Sequence, residues 1–168
     1  MPDLEKPFKI QQQEQTQWCW AAAAASICVF YEDATAQKQC ELANRFLEEM
    51  RNGVDCCANG SSNDCNLPFD LSDALRHLGH MQAPPRGALP YDRLSTEITA
   101  NSPVALRIQL ADFSAHFVVA TACEETSDGR RWVKVADPAT GNVVTMEYDD
   151  LVSNFRPGAA WDQSYLTK

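Results

Sequence analysis

The 168-residue chain reads as an α+β fold, with helices first and an antiparallel sheet second. Apolar residues recur at three- and four-residue spacing through the first half, and β-branched runs separated by turn residues fill the second. The segment Pro84-Pro85-Arg86-Gly87 stands between them and puts the boundary at 82–90.

Residues 1–17 read as an extended polar entry in which Gln11, Gln12, Gln13, Gln15 and Gln17 crowd together; a low-complexity glutamine tract is the alternative. From Cys19 to Tyr31 the chain is apolar nearly all round, which predicts a buried helix with Thr16 as its N-cap. Cys40, Ala43, Phe46, Leu47 and Met50 predict a second helix over 35–50 that ends near Gly53. A third spans 70–79, with Asp70 or Ser72 as cap and Gly79 as stop. Residues 91–100 form a short helix. Strands follow at 103–110, 115–123, 131–136 and 142–148, divided by Asp112, Ser127-Asp128-Gly129 and Pro138-Ala139-Thr140-Gly141. No internal repeat is visible.

The length suits a single domain, 1–168, that buries a core without obligatory staples. With 14 Lys+Arg against 23 Asp+Glu the formal charge is −9, and no basic cluster exceeds Arg130-Arg131. Nucleic acid and anionic membrane are therefore excluded as partners. No run approaches the roughly 18 apolar residues of a membrane span, and Met1 to Ile10 lack the apolar stretch of a secretory signal. Setting Cys19 aside leaves Cys28, Cys40, Cys56, Cys57, Cys65 and Cys123. Residues 55–66 are a polar, Gly- and Asn-containing loop that needs a tether, so one or two disulfides are expected to join Cys40 to Cys56, Cys57 and Cys65. That implies secretion or delivery to an oxidising compartment or a target cell. The competing reading is a zinc site from these cysteines with His77 or His80. Adjacent Cys56 and Cys57, and the lack of any CxxC pair, argue against it, so neither metal nor cofactor is expected.

Cys19 opens a helix, where free N–H groups and the helix dipole favour an anion and hence a thiolate. It reads equally well as a small core residue. His77 and His80 have no acidic or cysteinyl group spaced to work with them and read as surface or packing residues. His116 opens the strand His116-Phe117-Val118-Val119-Ala120, so its ring can face the rim of the sheet. Val133-Lys134-Val135-Ala136-Asp137 ends in a carboxylate at Pro138; if the two strands form a hairpin, Asp137 and His116 share one end of the sheet. Asp137 can then orient the imidazole, or it can simply start the Asp-Pro-x-x-Gly turn, and the two roles are compatible.

The motifs Gln…Trp-Cys-Trp-Ala-Ala, His-Phe-Val-Val-Ala and Val-Lys-Val-Ala-Asp-Pro-Ala-Thr-Gly resemble, in this order, the papain clan of cysteine peptidases. The similar branch is the small bacterial one of bacteriocin-leader-processing peptidases and secreted effector proteases, and the resemblance covers about residues 10–155. It implies a two-lobe papain-like fold, with a helical lobe over 1–85 carrying nucleophile Cys19 and a β lobe over 86–168 carrying base His116 and orienting Asp137. It also implies an oxyanion-hole glutamine six positions ahead of the nucleophile, which is Gln13, among several neighbouring glutamines. The leading function is a cysteine endopeptidase, secreted or delivered as an effector or toxin, acting on a protein or peptide. An inhibitor or immunity protein is a candidate partner. A glutamine deamidase or transglutaminase begins with the same thiol attack and is the alternative; a disulfide-stapled binding module is the non-enzymatic one. Trp18 and Trp20 read as core or cleft wall, and Trp132 and Trp161 are ambiguous in the same way, with a cover for the His116–Asp137 pair as the alternative to core packing for Trp161.

Overall fold

In the computed structural model, which describes residues 3–168, the first helix is enclosed on nearly every side. Helix α1 (Cys19–Phe30) buries every residue but Val29, and the five alanines 21–25 are fully inaccessible. Its one polar interior group is satisfied, because the Ser26 hydroxyl donates to the Ala22 carbonyl (2.7 Å) and accepts from the Gln11 N–H (2.9 Å). The expected Thr16 cap is absent. Trp18 is the N-cap residue, with no side-chain bond to the helix N–H groups, and the Thr16 hydroxyl instead accepts from Asn66 Nδ2 (2.7 Å). The turn before the helix is closed by the Trp18 N–H on the Gln15 carbonyl (3.1 Å), which makes Cys19 the first helical residue.

Helix α2 (Gln39–Phe46) is shorter than the 35–50 its spacing suggests. The Asp33 carboxylate holds Thr35 in a preceding turn, and Glu41 reaches back to the Lys38 N–H (2.8 Å) to set the start. At the other end Arg51 occupies the carbonyls of Asn44 (3.1 Å) and Val54 (2.7 Å), holding the chain in turns. Helix α3 (Leu71–His77) is capped by Asp70, which accepts from the Ser72 and Asp73 N–H groups, and it stops before Gly79, whose φ of +81° suits glycine. Helix α4 (Tyr91–Thr99) leads into the sheet.

Strands β1 (Val104–Gln109), β2 (Ala115–Glu125), β3 (Arg131–Asp137) and β4 (Asn142–Glu147) form an antiparallel meander. Two further elements complete it. Helix α5 (Tyr148–Ser153) begins where the fourth strand was expected to end, and β5 (Ala160–Leu166) pairs with β1, giving the order β4-β3-β2-β1-β5. β5 lacks a β-branched run; what makes it a strand is the β1 edge, across which Asp162 takes a bidentate ion pair from Arg107 (2.9 and 2.6 Å). α1 packs against β2, α2 and α3, and one continuous apolar core runs from the helices into the sheet.

Disulfides Cys40–Cys57 and Cys56–Cys65 tie the 55–66 loop to α2 and to itself, using the cysteines the sequence singled out. The loop in turn accepts the indole N–H of Trp18 at the Cys65 carbonyl (2.8 Å). Because the Cys40–Cys57 bond closes 17 residues of chain, the Cys40→Ser/Cys57→Ser double variant is expected to lose about 3 kcal/mol of folding stability. Urea denaturation of the two proteins measures this, and coincident midpoints would refute it.

Candidate active site

β2 and β3 are joined by a tight turn in which the Thr126 N–H reaches the Arg130 carbonyl (2.9 Å), so the start of one strand and the end of the other lie side by side. His116, second residue of β2, and Asp137, last of β3, meet there. His116 Nε2–H donates to Asp137 Oδ1 at 2.7 Å, with both side chains largely buried. That bond leaves Nδ1 as the ring's second polar atom. The Cys19 side chain, brought in by the packing of α1 on β2, lies beside the ring and acts on its charge. The structure therefore unites Cys19, His116 and Asp137, from three elements, in one cluster. Asp137 also makes its turn: Oδ1 accepts from the Ala139 N–H (2.9 Å) and its carbonyl from the Gly141 N–H (2.9 Å), so the residue bonds the ring and the turn at once.

Burial opposes a charged imidazole, but the Asp137 hydrogen bond, the Cys19 contact and the charges of both outweigh it and raise the His116 pKa to about 9. For Asp137, burial pushes the carboxyl up, while the hydrogen bond and charge of His116, the Ala139 N–H and Arg156 bring it below its ordinary value. The aromatic ring beside His116 is Phe155, at 6.4 Å between centroids. Trp161, the alternative cover in the sequence reading, packs instead edge-on against Tyr148 and donates its N–H to the Gln163 carbonyl and the Ser164 hydroxyl.

Cys19, as first residue of α1, has a backbone N–H that intrahelical bonding leaves free. Gln13 lies over the preceding turn, its Nε2 donating to the carbonyls of Gln15 (3.1 Å) and Thr16 (2.9 Å) while its Oε1 is buried without a partner. The Gln13 N–H reaches the Pro138 carbonyl (2.8 Å), so the glutamine segment is anchored beside Asp137. Two residues outside the sequence reading hold this segment in place. Gln39, fully buried on α2, donates to the Gln12 carbonyl (3.0 Å) and accepts from the Glu14 N–H (3.0 Å). Asn66 accepts from the Gln17 N–H (2.8 Å). Neither has a local sequence signal, because each acts on residues far away in the chain.

A cavity of about 360 Å³ opens beside Cys19, walled by Gln17, Trp20, Phe69, Arg107 and Phe117. Trp20 is buried and also lines the cavity, while Trp18 belongs to the core. Arg107 is neutralised by Asp162, which leaves the walls mainly apolar.

An α+β fold with a cysteine at the start of a buried helix and a His–Asp pair on the facing sheet defines the papain-like class of cysteine hydrolases. The sequence pattern of the papain-like cysteine protease AvrRpt2 family matches residues 2–158, and the chain belongs to that family. No curated protein matches. Among solved structures, the crystal structure of the Pseudomonas avirulence protein AvrPphB is similar over 96% of this chain and 97% of that one, at 8% identity and a TM-score of 0.45.

Replacing Asp137 by Asn removes the carboxylate that holds the ring charged and leaves burial in place, so the His116 pKa is expected to fall from about 9 toward or below its ordinary 6.5. The proton titration of the ring, followed by NMR, measures this, and an unmoved midpoint would refute it. The sign for stability follows. The raised imidazole contributes fully below 6.5 and its contribution is lost as pH rises through about 9; the lowered carboxyl contributes above 3.8 and is lost as pH falls through its folded value.

Proposed function

We propose that the protein is a cysteine endopeptidase in which Cys19 is the nucleophile, His116 the acid and base, and Asp137 the residue that orients the ring. The observation that carries this reading is the His116 Nε2–Asp137 Oδ1 hydrogen bond of 2.7 Å, with the Cys19 side chain beside the same ring. The thiolate attacks a peptide carbonyl carbon and the carbonyl oxygen becomes an oxyanion. As the tetrahedral adduct collapses, the proton on His116 Nδ1 passes to the leaving amine and a thioester remains on Cys19. Water then gives a proton to the now neutral ring and its oxygen to the acyl carbon, releasing the acid and restoring the thiolate. Asp137 keeps Nε2 protonated and Nδ1 aimed at sulfur throughout.

The oxyanion is expected to lie against the free N–H of Cys19, with the Gln13 side chain as second donor. In this role Gln13 Nε2 must turn one proton away from the Gln15 and Thr16 carbonyls that it now serves. A segment of a protein or peptide is the occupant proposed for the cavity beside Cys19. The two disulfides support a protein secreted from its cell or delivered elsewhere as an effector or toxin, since such bonds form in oxidising compartments. An inhibitor or immunity protein that covers the same opening is the partner such an enzyme would call for.

Incubation with a peptide library, read by mass spectrometry, should give products with new amino termini, and Cys19→Ala should slow their formation on the order of 10⁶-fold. Ammonia release without new termini would replace peptidase by deamidase, and undiminished cleavage by the variant would end the assignment of Cys19. The proton that His116 must donate is lost as pH rises through about 9, so kcat/KM should fall there. In Asp137→Asn this alkaline limb should move to lower pH; a limb that stays in place would remove His116 from the role of acid.

A further inference from the structure

We propose that Cys28, Asp33 and His80 form a binding site for a transition-metal dication, with zinc as the best match to the ligand set, at the opposite end of the helix that carries Cys19. One ligand atom from each, the thiol sulfur, a carboxylate oxygen and an imidazole nitrogen, lie within 4.8 Å of one another. Tetrahedral zinc holds such atoms roughly 3.5 Å apart, so closure on the ion needs movements of about 1 Å. Nine residues of α1 separate Cys28 from Cys19, about 13 Å along the axis, so the two clusters are distinct.

Two of the three ligands already have a second partner that aims them. Asp33 Oδ1 accepts from the Thr35 N–H (2.8 Å) and hydroxyl (2.7 Å), which turns Oδ2 toward His80 Nε2 (2.9 Å). His80 Nδ1–H donates to the Lys168 carbonyl (2.8 Å), and the Tyr31 ring stacks on the imidazole at 5.3 Å and 9°. A histidine that gives one N–H to a backbone carbonyl and presents its other nitrogen to a cluster of anions has the orientation of a metal ligand. Cys28 is inaccessible in the last helical turn, while the Asp33 and His80 side chains keep 18% and 11% exposure.

The electrostatics call for a cation. The last turn of α1 carries the negative end of the helix dipole and no basic residue. When a dication binds, the Cys28 S–H bond is replaced by a sulfur–metal bond, the Nε2 lone pair binds metal in place of its proton, and both protons leave to water. Thiolate and carboxylate then balance the charge of the ion. The site would pin the end of α1, the turn after it, the segment after α3 and Lys168 beside β5. The cysteines of the zinc reading drawn from the sequence are in disulfides, and its other histidine, His77, bonds the Asp73 carbonyl (2.8 Å).

The test uses untagged, metal-stripped protein carrying Cys19→Ala, so that the thiol of the active site contributes nothing. Titration with Co²⁺ should saturate at one ion per chain, with a thiolate-to-cobalt charge-transfer band and the intense visible bands of tetrahedral cobalt, and Zn²⁺ should bleach both. Adding Cys28→Ser should abolish the charge-transfer band. Asp33→Asn, which keeps an amide oxygen to accept from Thr35 but lacks the charge, should weaken Co²⁺ binding about tenfold or more, with its urea midpoint reporting any loss of folding stability. No band in the Cys19→Ala protein, or a band that survives Cys28→Ser, would overturn the proposal and leave the cluster an ion pair beside a neutral thiol.

Discussion

The burial of α1 on its sides is the constraint from which the rest of the architecture follows. Five alanines with no accessible surface let α1 approach β2, α2 and α3 closely, and Trp20 and Ile27 on the same helix are equally inaccessible. Its first residue is thereby carried to the rim of the sheet, against His116. A larger residue among these alanines would have to be accommodated by moving the helix, and the sulfur would move with it. The geometry of the site is in this sense a packing property of the core.

The approach to Cys19 is held by long-range bonds where a local cap would otherwise serve. Gln39 and Asn66 take the backbone of the glutamine segment, the Pro138 carbonyl takes the Gln13 N–H, and the disulfide-bound loop takes the Trp18 indole. Two glycines make room for this. A Cβ on Gly141, which also sits at φ +72°, would lie 3.0 Å from the Gln12 side chain, and one on Gly60 would lie within 3.0 Å of Trp18 and the Cys56 carbonyl. Such a segment loses little freedom when a substrate arrives, which is what a preorganised site requires.

One helix carries two clusters of the same three residue types, and their surroundings divide their chemistry. Cys19 has the free N–H groups of a helix start and an imidazole beside it, next to an open cavity, which is an environment for a reactive anion. Cys28 has the negative end of the same helix and a carboxylate, in the dark of the core, which is an environment that favours either a neutral thiol or a bound cation. The polarity of the helix alone would sort the two cysteines in this direction.

Local regularities determined much of this protein from the sequence by itself. The apolar run of α1, the β-branched runs, the Asp70 cap, the cysteine-bearing loop and the His116 and Asp137 strand ends are all written within a few residues of where they act. Only the tertiary structure decided the rest. β5 becomes a strand by pairing with β1, Thr16 gives up the cap to bond Asn66, Gln13 spends its amide on the turn below it, Phe155 rather than Trp161 stands beside His116, and His80 leaves the surface to join Cys28 and Asp33. Each of these depends on a partner brought close by chain packing, and hydrogen bonds or charges between distant residues leave no periodicity or turn signal to be read.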